Sequence, residues 1–138
     1  MKKVLILMAT YNGAKYLDEQ IQSLIEQKNV QVDILVRDDG STDNTIEVLN
    51  KWKEQNKLEW YKGKHLNVQF GFYDLMERAR TRDVDYLAFC DQDDVWDLDK
   101  LCIAVEKLEK LCNKSMPALY YCGQRLVDEN MKFIADHN

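Results

Sequence analysis

Residues 3–13 read KVLILMATYNG, an apolar run from Val4 to Ala9 without polar alternation, closed at once by turn residues. A strand with one wet face alternates apolar and polar side chains. A continuous run is what a strand covered on both faces needs, and that is the pattern of a parallel sheet. After the TYNG turn, Leu17, Ile21, Leu24 and Ile25 recur at helical spacing, which predicts an amphipathic helix over residues 14–28 packing back on the sheet.

The same alternation continues along the chain. VDILVR at 32–37 reads as a second buried strand and stops at DDGSTDN, where Gly40 supplies a turn and Ser41, Thr42 or Asp43 can cap a helix carried by Thr45, Val48, Leu49 and Trp52. LEWYK at 58–62 is a short third strand, and Phe72, Leu75, Met76 and Ala79 mark a third helix. VDYLAFC at 84–90 is a fourth strand, read as buried. Leu98, Leu101, Cys102, Val105, Leu108 and Cys112 mark a fourth helix with Asp97 or Asp99 near its start. A strand through ALYYCGQRLV, a turn at DEN and a return strand beginning MKFI close the chain. The expected architecture is α/β: a mainly parallel sheet flanked by helices, with right-handed crossovers, in one domain over residues 1–138.

A net charge of −5 without a basic stripe argues against a nucleic-acid surface, which needs clustered Lys and Arg. The run VLILMA is too short for a secretory core or a membrane span, so a cytosolic protein is expected, with peripheral attachment to the inner membrane face as the remaining option. Cys90, Cys102, Cys112 and Cys122 lie ten or twelve apart with no Cys-x-x-Cys pair, which suits buried thiols in a reducing compartment better than zinc ligands. His65 and His137 read as surface residues. G-x-G-x-x-G and G-x-x-x-x-G-K-[ST] are missing, which disfavours a dinucleotide oxidoreductase or a P-loop enzyme.

In parallel sheets ligands bind beyond the carboxyl ends of the strands. That rule puts TYNG, DDGSTD and DQDD on one rim. Two carboxylates about 4 Å apart repel by roughly 4 kcal/mol at a surface-like dielectric, so Asp91, Asp93 and Asp94 need solvent, a partner or a cation. Two readings are open: hard oxygen donors for Mg²⁺ or Mn²⁺, or solvated loop charges at Asp91 and Asp94 with Asp93 as a helix cap. Asp38 and Asp39, a second acidic pair on the same rim, favour the metal. Tyr11 can stack on a base and Thr10 or Asn12 can donate to a ligand, yet each is also a common turn residue. Trp96 reads as an anchor for the fourth helix.

ATYNG at 9–13, DDGSTDNT at 38–45 and DQDDVW at 91–96, in this order and spacing, resemble the family 2 inverting glycosyltransferases of GT-A fold, and the last form resembles their bacterial rhamnosyltransferase-like members. The resemblance implies a nucleoside-diphosphate sugar, UDP- or dTDP-linked, as donor. It implies that Ala9, Thr10 and Tyr11 border the base, Asp39 hydrogen-bonds the base, Asp91 faces the ribose and metal, and Asp93 is the main ligand of Mg²⁺ or Mn²⁺, with Asp94 as the alternative ligand. It further implies transfer to a saccharide or lipid-linked acceptor in bacterial surface polysaccharide synthesis. Gln69 stands where the family often has Gly, and Asp97-Leu98 where it often has Leu-Pro. Family members carry their general base in a segment with no counterpart here. The chain is therefore expected to be the donor-binding portion, truncated at its C-terminus, inactive or weak alone, with a sheet edge near residues 118–134 open to a second copy. Two rivals share the fold class: a non-catalytic nucleotide-sugar-binding module, and a phospho-acceptor receiver domain, which needs an acidic pair where TYNG stands.

Overall fold

The computed structural model describes residues 1–65, 67–111 and 115–137, the side chains of Val68 and His137 excepted. In chain order the elements are β1 (Lys3–Thr10), α1 (Ala14–Ile25), β2 (Gln31–Asp38), α2 (Thr45–Glu54), β3 (Glu59–Lys62), α3 (Val68–Ala79), β4 (Tyr86–Cys90), α4 (Lys100–Leu111), β5 (Gln124–Val127) and β6 (Phe133–His137). They form two compact units, residues 1–102 and 103–138.

The first unit holds a four-stranded sheet of order β3-β2-β1-β4, every pair parallel. The unbroken apolar run belongs to β1, in the sheet interior, where Val4 to Met8 are at most 2% exposed. On one face Leu5, Leu7 and Leu35 pack against Leu75 and Ala79 of α3, with Ala9, Tyr61, Phe72 and Val84 around them. Side chains alternate along a strand, so Met8 and its neighbour in register, Cys90, lie on the other face. There Gln20 of α1 donates to the Cys90 sulfur at 2.7 Å.

The four β-α alternations arrive in the expected order, with local differences. The first helix ends at Ile25 rather than near residue 28, and Lys28 N–H donates to the Leu98 carbonyl. Leu98 precedes α4 and is exposed, as is Met76 on α3. The larger correction concerns β4, which is not buried: Leu87 is 42% and Phe89 47% exposed. β4 is the terminal strand of this sheet, and Phe72 of α3 meets Phe89 edge-on at 5.5 Å between ring centres. Its inner residue Cys90 is buried, while Cys102 is partly exposed and Cys122 exposed, so the thiols are not uniformly buried. Cys112 lies outside the described residues.

In the second unit β5 and β6 form an antiparallel hairpin, as the DEN turn predicts. The Asp128 carboxylate accepts from the backbone N–H of Asn130 and Lys132, both at 2.9 Å, and Met131 takes a positive φ of 63°. The first strand is shorter than expected, since residues 118–123 lie outside it, and all four β5 residues are exposed. No described helix is long and apolar enough to cross a membrane.

Leu5 and Leu87 are register partners with opposite environments. Leu5→Ala should destabilise the protein by about 2–5 kcal/mol, the range for a buried leucine, and Leu87→Ala by less than about 1 kcal/mol, read from chemical denaturation midpoints.

Candidate functional site

The carboxyl ends of β1, β2 and β4 lie side by side, with Thr10 opposite Asp38 and Met8 opposite Cys90. The three loops that follow therefore share one rim. At its centre Asp38 is fully buried. Its Oδ1 accepts from the hydroxyls of Thr10 (2.8 Å) and Ser41 (2.6 Å), and its Oδ2 accepts from the backbone N–H of Gly40 (3.0 Å) and Ser41 (2.9 Å). A carboxylate can be buried when its lone pairs are filled in this way. Gly40 takes φ +93° to close the turn, a conformation that suits glycine.

The first two loops interlock. Asn12, itself at φ 48°, accepts at Oδ1 from the backbone N–H of Thr42 (2.8 Å) and Asp43 (3.3 Å), while its own N–H donates to the Ser41 hydroxyl at 2.9 Å. Gly13 N–H donates to the Thr45 hydroxyl, and Ala14 N–H to Asp43. Asp43 also accepts from the N–H and hydroxyl of Thr45, which starts α2 and holds its carboxyl below the usual range through the Thr45 hydroxyl first. The N-cap position of α2 is Asn44, without a side-chain cap bond, so none of the three expected caps holds it; Asp43, just before, instead ties Thr45 to the first loop.

The third loop is tied to the first by Gln92. Its Oε1 accepts from Tyr11 N–H at 2.8 Å and its Nε2 donates to the Tyr11 carbonyl at 3.0 Å. A side chain at position 13 would place Cβ 2.3 Å from Gln92 Oε1, so glycine there keeps the clamp closed. Behind the loop Gln20 Nε2 donates to the Asp91 carbonyl, and Trp96, expected to anchor the fourth helix, is buried with its backbone N–H on the Ser23 hydroxyl of α1 at 3.1 Å. Tyr11 stays half exposed on the rim, its ring 5.1 Å from that of exposed His65.

Asp38 and Asp39 are not the pair of free rim charges the sequence suggested. Asp38 is consumed by the turn, and Asp39 is paired with Arg37, a guanidinium only 2% exposed. Arg37 also donates from Nε to Asp74 at 3.1 Å and from Nη2 to the Lys64 carbonyl at 2.7 Å. Asp74 accepts from the Tyr61 hydroxyl at 2.6 Å. The Tyr61 bond and then Arg37 hold the Asp74 carboxyl low, while burial and next Asp74 push the Tyr61 phenol up.

Asp91 and Asp93 are exposed and Asp94 is partly buried. Burial, then Asp93, then Asp91 raise the Asp94 carboxyl above its ordinary value, against a smaller opposing effect of Lys100. The crowding inferred from DQDD is therefore real. Among the described residues no group of three or more His, Cys, Asp or Glu is arranged to hold a metal, so the run is not an all-protein cage. Mg²⁺ sites commonly use one or two carboxylates and complete the shell with phosphates and water, and carboxylate oxygen also suits Mn²⁺. The donors fit such an ion.

Of the expected site residues, the fold brings Tyr11, Asp39, Asp91 and Asp93 to one rim. Thr10 is buried with its hydroxyl turned to Asp38, so it offers no ligand donor, while Asn12 serves the turn through its Oδ1 and backbone N–H. Ala9 packs in the core beside α3. Arg37, Asp74 and Gln92 were missed; the one signal was an arginine closing an otherwise apolar strand. A cavity of about 550 Å³ lies at the other end of β2 and β3, between Val32, Ile34 and Leu58, away from this rim.

The family model for glycosyl transferase family 2 matches residues 5–132. The chain belongs to this family. It is 36% identical over 137 residues to a dTDP-rhamnosyl transferase, RfbG, of Shigella flexneri, a match covering 88% of this chain and 45% of that protein. It is 28% identical over 112 residues to a putative teichuronic acid biosynthesis glycosyltransferase, TuaG, of Bacillus subtilis, covering 79% of the chain and 43% of the relative. This family 2 chain thus spans less than half the length of these relatives. Among solved structures it is similar to S. aureus TarS in complex with UDP-GlcNAc (26% identity, TM-score 0.61, 80% of this chain and 32% of that one). It is also similar to the mannosyltransferase PcManGT from Pyrobaculum calidifontis in complex with GDP-Man and Mn²⁺ (25%, TM-score 0.62, 76% and 32%). The fold is the GT-A type of these glycosyltransferases.

Because the folded state raises the Asp94 pKa, the ionised form costs stability that the protonated form retains. That contribution is present below the unfolded carboxylate range and is lost as pH rises through the folded value. Asp94→Asn should therefore melt higher than wild type at pH 7 in metal-free buffer. The difference should shrink towards zero as both are acidified into the carboxylate range, followed by thermal denaturation.

Proposed function

We propose that residues 1–138 form the donor-binding part of a glycosyltransferase that takes a nucleoside-diphosphate sugar, UDP- or dTDP-linked, with Mg²⁺ or Mn²⁺. The observation that carries this reading is the tying of three loops into one rim, with Tyr11, Asp39, Asp91 and Asp93 at its edge and Gln92 clamping Tyr11 at both backbone atoms. The complexes of TarS with UDP-GlcNAc and of PcManGT with GDP-Man and Mn²⁺ support a nucleotide-sugar donor and a divalent ion for this chain as well.

In this reading the exposed Tyr11 ring offers a face for the base, and Asp39 accepts a hydrogen bond from the base edge. Asp93, with Asp91 beside it, would hold the divalent ion. When bound, that ion neutralises the charge that develops on a diphosphate leaving group. The chain's own contribution is placement: the Asp38 hub and the Gln92 clamp fix the loops before the donor arrives, so little ordering has to occur on binding. Transfer to a saccharide or lipid-linked acceptor with inversion, in surface polysaccharide assembly, is the activity we propose for the family 2 enzyme this chain represents. General-base help of about 10²–10⁴-fold has no assigned residue, so the chain alone is proposed to bind donor better than it transfers sugar.

Titration calorimetry of UDP and dTDP, each with and without Mn²⁺, tests this. Binding should require the ion and should fall by at least about tenfold in Asp93→Asn, the loss of about one charged contact. Binding that is indifferent to both Mn²⁺ and the substitution would contradict the assignment.

A further inference from the structure

The pairing of Arg37 with Asp39 is costly to build. Arg37 is 2% exposed and the Asp39 side chain 11%, and a buried ion pair is often no more stabilising than the apolar residues that could replace it. Position 37 is the last but one residue of β2; the preceding same-face residue is the core leucine Leu35, and in register position 37 faces Ala9 of β1. An aliphatic side chain would suit those surroundings.

Instead the chain keeps room for a guanidinium. A Cβ at position 63 would lie 2.3 Å from Arg37 Cζ, so any residue larger than glycine would displace the head group. Position 71 makes no such demand, since a Cβ there would stand at ordinary contact distance, 3.4 Å from Nη1 and 3.9 Å from Asp39 Oδ2. The three nitrogens of the fork are each assigned: Nε to Asp74, Nη2 to the Lys64 carbonyl, Nη1 to Asp39 Oδ1. Asp74 is itself fixed by Tyr61. Asp39 is held at its backbone as well, through its N–H on the Thr10 carbonyl at 2.9 Å.

We propose, resting on the donor-site reading above, that Arg37 is a positioning residue for base selection. It holds Asp39 as an ionised, correctly turned acceptor, so that the site favours a pyrimidine-dione, whose N3–H donates, over cytosine, whose N3 accepts. An ionised carboxylate has acceptors only. Against uracil or thymine its second oxygen meets a donor; against cytosine N3 it meets a lone pair. Arg37 supplies both requirements, since a cation beside Asp39 favours the charged form and a planar fork fixes which oxygen is turned outward. A lysine would keep the charge and lose the fork.

The test is calorimetric titration of UDP and CDP with Mn²⁺ against wild type, Arg37→Lys and Asp74→Ala, with a thermal melt of each. Wild type should prefer UDP by at least about tenfold, the scale of one hydrogen bond to a charged group. In Arg37→Lys that preference should collapse towards unity, mainly through weaker UDP binding. If UDP and CDP weaken by the same factor, Arg37 supports the fold alone and the inference is overturned. If wild type binds both equally, the inference is overturned while the donor-site reading stands. If wild type binds neither, with or without Mn²⁺, both are overturned. Should Arg37→Lys not fold, Asp74→Ala decides: it removes the acceptor of the Nε contact at a partly exposed position, and an unchanged UDP/CDP ratio in a folded protein overturns the inference.

Discussion

A single buried carboxylate sets the geometry on which the rim depends. Asp38 is the last residue of β2 and stands opposite Thr10, the last of β1. Its charge is out of water, where an unpaired carboxylate is prohibitive, so the surrounding chain must deliver donors to it. The donors come from both strands' ends: the Thr10 hydroxyl, two backbone N–H groups of the 40–41 turn and the Ser41 hydroxyl. Satisfying Asp38 therefore fixes where β1 stops, how the chain turns after β2, and where Ser41 stands to meet Asn12.

From that hub the acidic residues divide their work by depth. Asp38 is structural. Asp39, one residue on and largely buried, is paired with Arg37. Asp91 and Asp93 are exposed, and Asp94, between solvent and core, has its carboxyl pKa raised by burial first and then by Asp93 and Asp91. Neutral amides do the joining: Gln92 spans to Tyr11 and Gln20 to the Asp91 carbonyl. Amides combine donor and acceptor in one side chain, which is what a reciprocal clamp on a backbone needs.

The alternation of strands and helices was legible in the sequence because apolar run length and helical spacing are local properties of the chain. The shared rim was legible too, since parallel strands put their carboxyl ends together whatever their separation in sequence. Burial of β4 was misread: DYLAF looks the same whether the next layer covers it or not, and on this terminal strand Leu87 and Phe89 stay exposed even though Phe72 of α3 meets Phe89 edge-on. The DD pair at 38–39 was misread for a related reason. Two adjacent carboxylates on a strand end point to opposite faces, so one turned into the loop hub and the other to Arg37. Gln92 was hidden inside a motif whose carboxylates drew the attention, and its role exists only once Tyr11 is brought beside it.

The central claim is that the rim formed by the three loops is where a nucleotide binds. Amide chemical-shift mapping by NMR with UDP and Mg²⁺ tests it most directly. The account predicts shifts concentrated at residues 10–13, 38–41, 63–65 and 91–94, with the amides lining the cavity near Val32 and Leu58 undisturbed. Shifts centred on that cavity, or spread without focus over the first unit, would contradict it.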